Sequence, residues 1–164
     1  MPPIIIPFTP NYLGRVIFNA DVITGDLKSF DRVVFKLDSG SDFTTIEFAV
    51  LLSLGYTREF LKNCPSHDEV ISTAYQDNKK PLQYISNISI KFEDRELQGC
   101  RIFFALDSNL KSLFGSDILK YFNWGVNYDE GIFHLNERKN APLLQENEHP
   151  IHIYSLETQE RILA

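Results

Sequence analysis

The stretch FKLDSGSDFTTI, Phe35 to Ile46, decides how the rest of the chain is read. An apolar run with strand character (Val33, Val34, Phe35, Leu37) breaks on Asp38-Ser39-Gly40-Ser41 and resumes as Phe43-Thr44-Thr45-Ile46. Strands are depleted in Asp and Gly, and a carboxylate at the end of a buried strand is costly unless it is hydrogen-bonded. Two readings fit. Asp, Ser and Gly are all favoured in β-turns, so the break can be an ordinary turn. Alternatively the chain holds Asp38 on a rigid loop for chemistry. Gly40 would then permit the tight backbone that brings N–H groups to the carboxylate. The Ser39 hydroxyl would tie the loop to a neighbour, and the Ser41 hydroxyl would donate to the carboxylate. The tripeptide alone favours the turn; the apolar strand before it and Thr-Thr-Ile after it favour the second reading.

Working outward, Arg15 to Thr24 reads as a strand, Thr24-Gly25-Asp26 as a turn, and Phe30 to Leu37 as the returning strand. Glu47 to Leu54 is short, apolar, poor in β-branched residues and stopped by Gly55, which predicts a short helix. Val70 to Tyr75 and Leu82 to Phe92 predict a long hairpin with the polar tip Gln76 to Pro81. Leu97 to Leu106 predicts a further strand. Leu113-Phe114-Gly115 precedes a second short helix at Ser116 to Phe122, with Ser116 or Asp117 as its cap. Trp124 to Tyr128 and Ile132 to Leu135 flank Asp129-Glu130-Gly131, a hairpin signal. The segment from Asn136 to Pro150 is polar, and Ile151 to Tyr154 predicts one more strand. Many strands and two short helices make the chain mainly β.

At 164 residues, with 43% apolar and 23% charged content, the chain has room for one domain with a real core. A net charge of -6 argues against a nucleic-acid partner. The two cysteines, Cys64 and Cys100, lack metal-site spacing and read as buried thiols, a single bridge remaining open. The four histidines have no metal-ligand spacing, and Trp124 reads as core. The prolines break the Ile4-Ile5-Ile6 run and no basic region precedes it, so it is a poor signal peptide. No run reaches membrane-spanning length. The expected location is the cytoplasm.

Taken in order, these segments resemble the retropepsin-like aspartic peptidases. FKLDSGSDFTTI is similar to that family's active-site loop, VISTAYQDNKKPLQYI stands where the family has its flap hairpin, and SLFGSDILKYFNWGVNYDEGIFHL resembles its apolar-apolar-Gly segment, helix and closing strands. The resemblance implies a closed β-barrel, an acid-protease half, over residues 15–136, with an N-terminal extension (1–14) and a C-terminal tail (137–164) that offers a dimer-interface strand. It implies Asp38 as the catalytic residue, supported by Ser39, Gly40 and Ser41. Ala74, Tyr75 and Gln76 would be flap residues against substrate, and Leu113, Phe114 and Gly115 would pack beneath the loop. With one Asp-Ser-Gly per chain, the second carboxylate is expected from Asp38 of another copy in a homodimer. The implied reaction is endopeptidase hydrolysis of a peptide or protein substrate, with no metal, cofactor, nucleic acid or membrane. The competing expectation is a non-cleaving dimer of the same fold that binds peptides or serves as an assembly module, which the glycine-free tip Tyr75 to Lys80 favours.

Overall fold

A computed structural model describes residues 2–9, 13–72, 79–144 and 148–156. Ten strands and three short helices follow one another among them: β1 (Ile4–Pro7), β2 (Ile17–Thr24), β3 (Phe30–Leu37), α1 (Phe48–Ser53), α2 (Arg58–Lys62), β4 (Ser66–Ser72), β5 (Lys79–Lys91), β6 (Arg95–Phe104), β7 (Leu113–Phe114), α3 (Ser116–Leu119), β8 (Phe122–Asn127), β9 (Ile132–Glu137) and β10 (His152–Ser155). The chain is mainly β, as expected. It has one helix more than expected: α2 is only five residues long and buries Leu61 alone, too little to leave a helical period in the sequence. Its start is marked by Thr57, whose side chain accepts from Phe60 N at 3.1 Å.

Two sheets carry the fold. The larger has seven strands, in the order β10-β6-β5-β2-β3-β7 with β4 added on β5; the smaller runs β1-β9-β8. No closed barrel is detected among the described residues. Period-2 burial explains the larger sheet. Phe18, Ala20 and Val22 of β2 and Val33 and Phe35 of β3 point inward and are buried. β5 reaches β4, β2 and β6 because it is long and bent. Its pairing with β6 shifts register between Ile85 and Ile88, where Asn87 takes φ 60°, a left-handed conformation that Asn tolerates better than most residues.

The two sheets meet in an aromatic core. Phe18 stands 4.8 Å from Phe133 of β9, 5.4 Å from Phe114 of β7 and 5.9 Å from Phe35. Burying each such ring contributes roughly 1.5–3 kcal/mol. Both ends of the described residues join the sheets. Residues read as an N-terminal extension supply β1, which pairs with β9 from Ile4↔Leu135 to Pro7↔Ile132. The strand expected near Ile151 forms as β10 and pairs with β6 of its own chain. Cys64 and Cys100 are both free thiols, Cys100 buried and Cys64 half-buried. Trp124 departs from expectation: it is 40% exposed.

Candidate active site

β3 delivers Asp38 to the end of the larger sheet. There Lys36 and Leu37 pair in parallel with Leu113 and Phe114 of β7, and Asp38 N donates to Phe114 O at 3.0 Å. The loop then closes on itself. Gly40 N donates to Asp38 Oδ1 at 3.1 Å, and Ser41 N donates to Asp38 O at 3.1 Å. Lys36 Nζ lies 3.9 Å from Asp38 Oδ2. The Asp38 side chain remains 31% exposed, while Ser39 and Gly40 beside it are exposed. The carboxylate is therefore held by one backbone donor, Gly40 N, and is open on one side.

The Ser41 hydroxyl does not do what the sequence led us to expect. It donates to Phe43 O at 2.8 Å, not to the Asp38 carboxylate. A hydroxyl has one proton to give, and here it stiffens the loop. Gly40 also differs. It is absent from the glycines at positive φ, and an added Cβ would meet only Asp38 Oδ1, at 3.4 Å. Within one chain, little demands glycine there.

The strict glycine is Gly115. A Cβ on it would lie 2.4 Å from Phe43 O and 2.9 Å from Ser41 O, so the segment Leu113-Phe114-Gly115 fits under the loop only without a side chain at that point. Ser116 N donates to Ser41 O at 2.8 Å, and Thr45 and Leu113 exchange backbone hydrogen bonds at 2.9 and 3.1 Å. The structure thus brings together Asp38, Ser39, Gly40, Ser41, Leu113, Phe114 and Gly115. Ala74, Tyr75 and Gln76 lie outside the described residues. The strands leading to them, β4 and β5, form an antiparallel pair from Ser66↔Gln83 to Ser72↔Lys79.

Sequence reasoning missed the residues that lock the two segments together. Thr44 is buried, and its hydroxyl donates to Asp117 Oδ1 at 2.6 Å while its N–H donates to Asp117 Oδ2 at 3.0 Å. The Thr44 hydroxyl oxygen in turn accepts from Gly115 N at 3.1 Å. Asp117 was expected as a helix cap. The cap position of α3 is instead Gly115, and the Asp117 carboxylate spans to the other segment. Burial pushes the Asp117 carboxyl above its ordinary range, and the hydrogen bonds from Thr44 and Ile118 oppose that rise. Thr45 and Ser112 add two more ties: Thr45 Oγ1 donates to Lys111 O at 2.6 Å, and Glu47 N donates to Ser112 Oγ at 3.0 Å. The signal for Thr44 and Asp117 was a Thr-Thr pair after the loop and an Asp two places after Gly115.

Beside the loop, a cavity of about 340 Å³ is lined by Phe43, His67, Tyr84, Arg101, Phe103 and Asp117, among others. The Arg101 guanidinium lies over the Tyr84 ring at 4.7 Å. Among the described residues no cluster of His, Cys, Asp and Glu could hold a metal ion. Likewise, no described helix is long and apolar enough to cross a membrane.

The architecture is a mainly β fold of two sheets. No family model matches the sequence, and no curated protein matches it. Among solved structures, the fold is similar to the crystal structure of a retropepsin-like aspartic protease from Rickettsia conorii. The TM-score is 0.56 with 22% identity, covering 83% of this chain and 91% of that chain. At that identity the likeness is one of fold.

Proposed function

We propose that the protein is an aspartic endopeptidase that works as a homodimer, with Asp38 of each copy supplying one of two facing carboxylates. One observation carries this reading: the Asp38 carboxylate accepts from Gly40 N–H, on a loop underpinned by Gly115, and keeps one side open. A turn with no task has no need of a second segment packed beneath it at 2.4 Å from where a Cβ would stand. Likeness of fold to a protease of this type supports the same reading.

Two carboxylates brought face to face share one proton, because like charges at close range cannot both ionise comfortably. The ionised member acts as general base on a water, which attacks the peptide carbonyl. The protonated member hydrogen-bonds the carbonyl oxygen, and a proton then passes to the leaving nitrogen. No acyl-enzyme forms. The β4–β5 pair would act as the flap over an extended, apolar peptide segment, and Ala74, Tyr75 and Gln76 would be its residues against substrate.

A second reading is a dimer of the same fold that binds peptides without cleaving them, and the absence of glycine from Tyr75 to Lys80 favours it. The test is incubation of the protein and its Asp38→Asn variant with a diverse peptide library from mildly acidic to neutral pH, followed by mass spectrometry of new termini. Termini made by the wild type and absent with the variant support proteolysis. No cleavage by a folded dimer at any pH supports the binding module.

A further inference from the structure

We infer that the cavity beside the loop is a binding site for a carboxylate carried on an aromatic ring, with Arg101 taking the carboxylate and Phe43, Tyr84 and Phe103 receiving the ring. Asp38 is not among the residues that line this cavity, and the inference holds whether or not the protein cleaves peptides.

Alternation along β6 creates the site. Cys100, Ile102 and Phe104 turn to the core and are buried, so Gly99, Arg101 and Phe103 share the opposite face. All three line the cavity. Phe103 stands across from Tyr84 of β5, with ring centroids 5.6 Å apart, and Phe43 lies 4.4 Å from Phe103. His67 of β4 adds a further ring, 4.9 Å from Phe43. The segment before β10 lines the cavity as well: Pro150 O would lie 3.1 Å from a Cβ on Gly99, so the chain passes close over β6 there. At about 340 Å³ the space falls within the range of small-molecule sites, roughly 300–1,000 Å³.

Arg101 calls for an anion. Its Nε is buried, and no group among the described residues accepts its hydrogen; no other described side-chain nitrogen or oxygen is buried in that state. Buried donors are nearly always satisfied, so a lone one points to a missing acceptor. None of the ion pairs among the described residues includes Arg101. Its guanidinium lies over the Tyr84 ring at 4.7 Å, which orients the fork. The acids lining the same cavity are engaged elsewhere. Asp117 accepts from Thr44 and from Ile118 N, and Glu148 pairs with Lys120. Arginine has only donors, and a charged acceptor binds it about twice as strongly as a neutral one. A carboxylate offers two oxygens to the fork. It also suits the site better than a phosphate, because a second negative charge would stand near Asp117 and Glu148. The rings of Phe43, Tyr84 and Phe103 then ask for a flat apolar body behind the carboxylate. Two sources carry this chemistry: a free aromatic acid, and the C-terminal phenylalanine of a peptide.

Ligand-observed NMR titration of the full chain tests this. One arm uses 3-phenylpropanoate and its amide, the other acetyl-Gly-Phe with a free carboxylate and its amide. In the arm that fits, the acid is expected to bind at least about 10-fold more tightly than the amide. Arg101→Met is expected to remove that advantage while far-ultraviolet circular dichroism is unchanged. Arg101→Lys keeps the charge, loses the fork and is expected to recover only part of it. Asp38→Asn is expected to bind as wild type does. Tighter binding of 3-phenylpropanoate assigns the site to a free acid, and tighter binding of the dipeptide assigns it to a chain end. Should Arg101→Met fail to fold, acid against amide on the wild type decides. Acid and amide bound alike, binding unchanged in a folded Arg101→Met protein, or no binding of either acid up to about 10 mM overturns the inference. Loss of binding in Asp38→Asn would move the site to the catalytic loop and overturns it too. Phenyl phosphate bound more tightly than both acids overturns the assignment to a carboxylate.

Discussion

Thr44 and Asp117 are joined twice, by a backbone N–H at 3.0 Å and by a hydroxyl at 2.6 Å, across 73 residues of sequence. The same hydroxyl oxygen receives Gly115 N, so a single side chain relays between the strand end under the loop and the carboxylate beyond it. Thr44→Val removes the relay, leaves a buried N–H without its partner and takes a donor from Asp117. The expected loss is about 3 kcal/mol by urea denaturation, against less than about 1 kcal/mol for Thr44→Ser. Equal effects of the two substitutions would show that shape, and not the hydroxyl, matters.

The same carboxylate gives the protein a pH signature. Burial raises Asp117 above its ordinary value of 3.8. Between that value and the raised one, the folded protein holds a proton that the unfolded chain has released. The folded state then binds more protons, so this group's contribution to stability is full below 3.8 and is lost as pH rises through the window. The stability difference between wild type and Asp117→Asn is expected to shrink as pH increases from about 3 and to level off once the group is ionised. A difference that grows with pH would mean that the hydrogen bonds from Thr44 and Ile118 outweigh burial.

The two glycines of the candidate site separate folding from function. Gly115→Ala drives a Cβ to 2.4 Å from a backbone carbonyl and is expected to cost about 3 kcal/mol or more, or to abolish folding. Gly40→Ala meets only Asp38 Oδ1, at 3.4 Å, and is expected to change stability by less than about 1 kcal/mol. Loss of cleavage in a stable Gly40→Ala protein would place the demand for glycine on the partner or the substrate. Thermal melts beside peptide-cleavage rates make the comparison.

Ser41→Ala is expected to leave the pH-rate profile unchanged. Its hydroxyl donates to Phe43 O at 2.8 Å, so removing it should cost about 1 kcal/mol of stability and nothing in acidity. A displaced acid limb in the variant would mean that the hydroxyl turns to Asp38 when the site is assembled.

Asp38→Asn keeps the shape of the side chain and removes the carboxylate on which the proposed mechanism depends. Cleavage is expected to fall at least about 100-fold with the melting temperature little changed. Residual cleavage at wild-type rate would locate the chemistry elsewhere, or in a contaminant.

What the sequence disclosed follows from the range of the forces involved. β3 was legible residue for residue, because alternating burial and a turn are local patterns. The loop at Asp38 and the apolar-apolar-Gly segment were legible as pieces. Their mutual fit was not, since the 2.4 Å approach at Gly115 belongs to two segments far apart in the chain. Thr44 and Asp117 were hidden for the same reason. Trp124 misled because its type is usually buried, whereas its exposure depends on what lies beyond the strand. Ile4–Pro7 looked like an appendage because a strand among prolines has weak local propensity, and β9 supplies the order it lacks.

Arg95, 3% exposed, gathers both ends of the described fold. Its guanidinium donates to Pro2 O at 2.8 Å, and its backbone stands opposite Ser155 in the β10–β6 ladder. The first and last described stretches therefore stand at one corner. A short peptide tether between them would give a circular permutant with every strand pairing intact, and a host protein could carry the whole fold in a surface loop without being pulled apart.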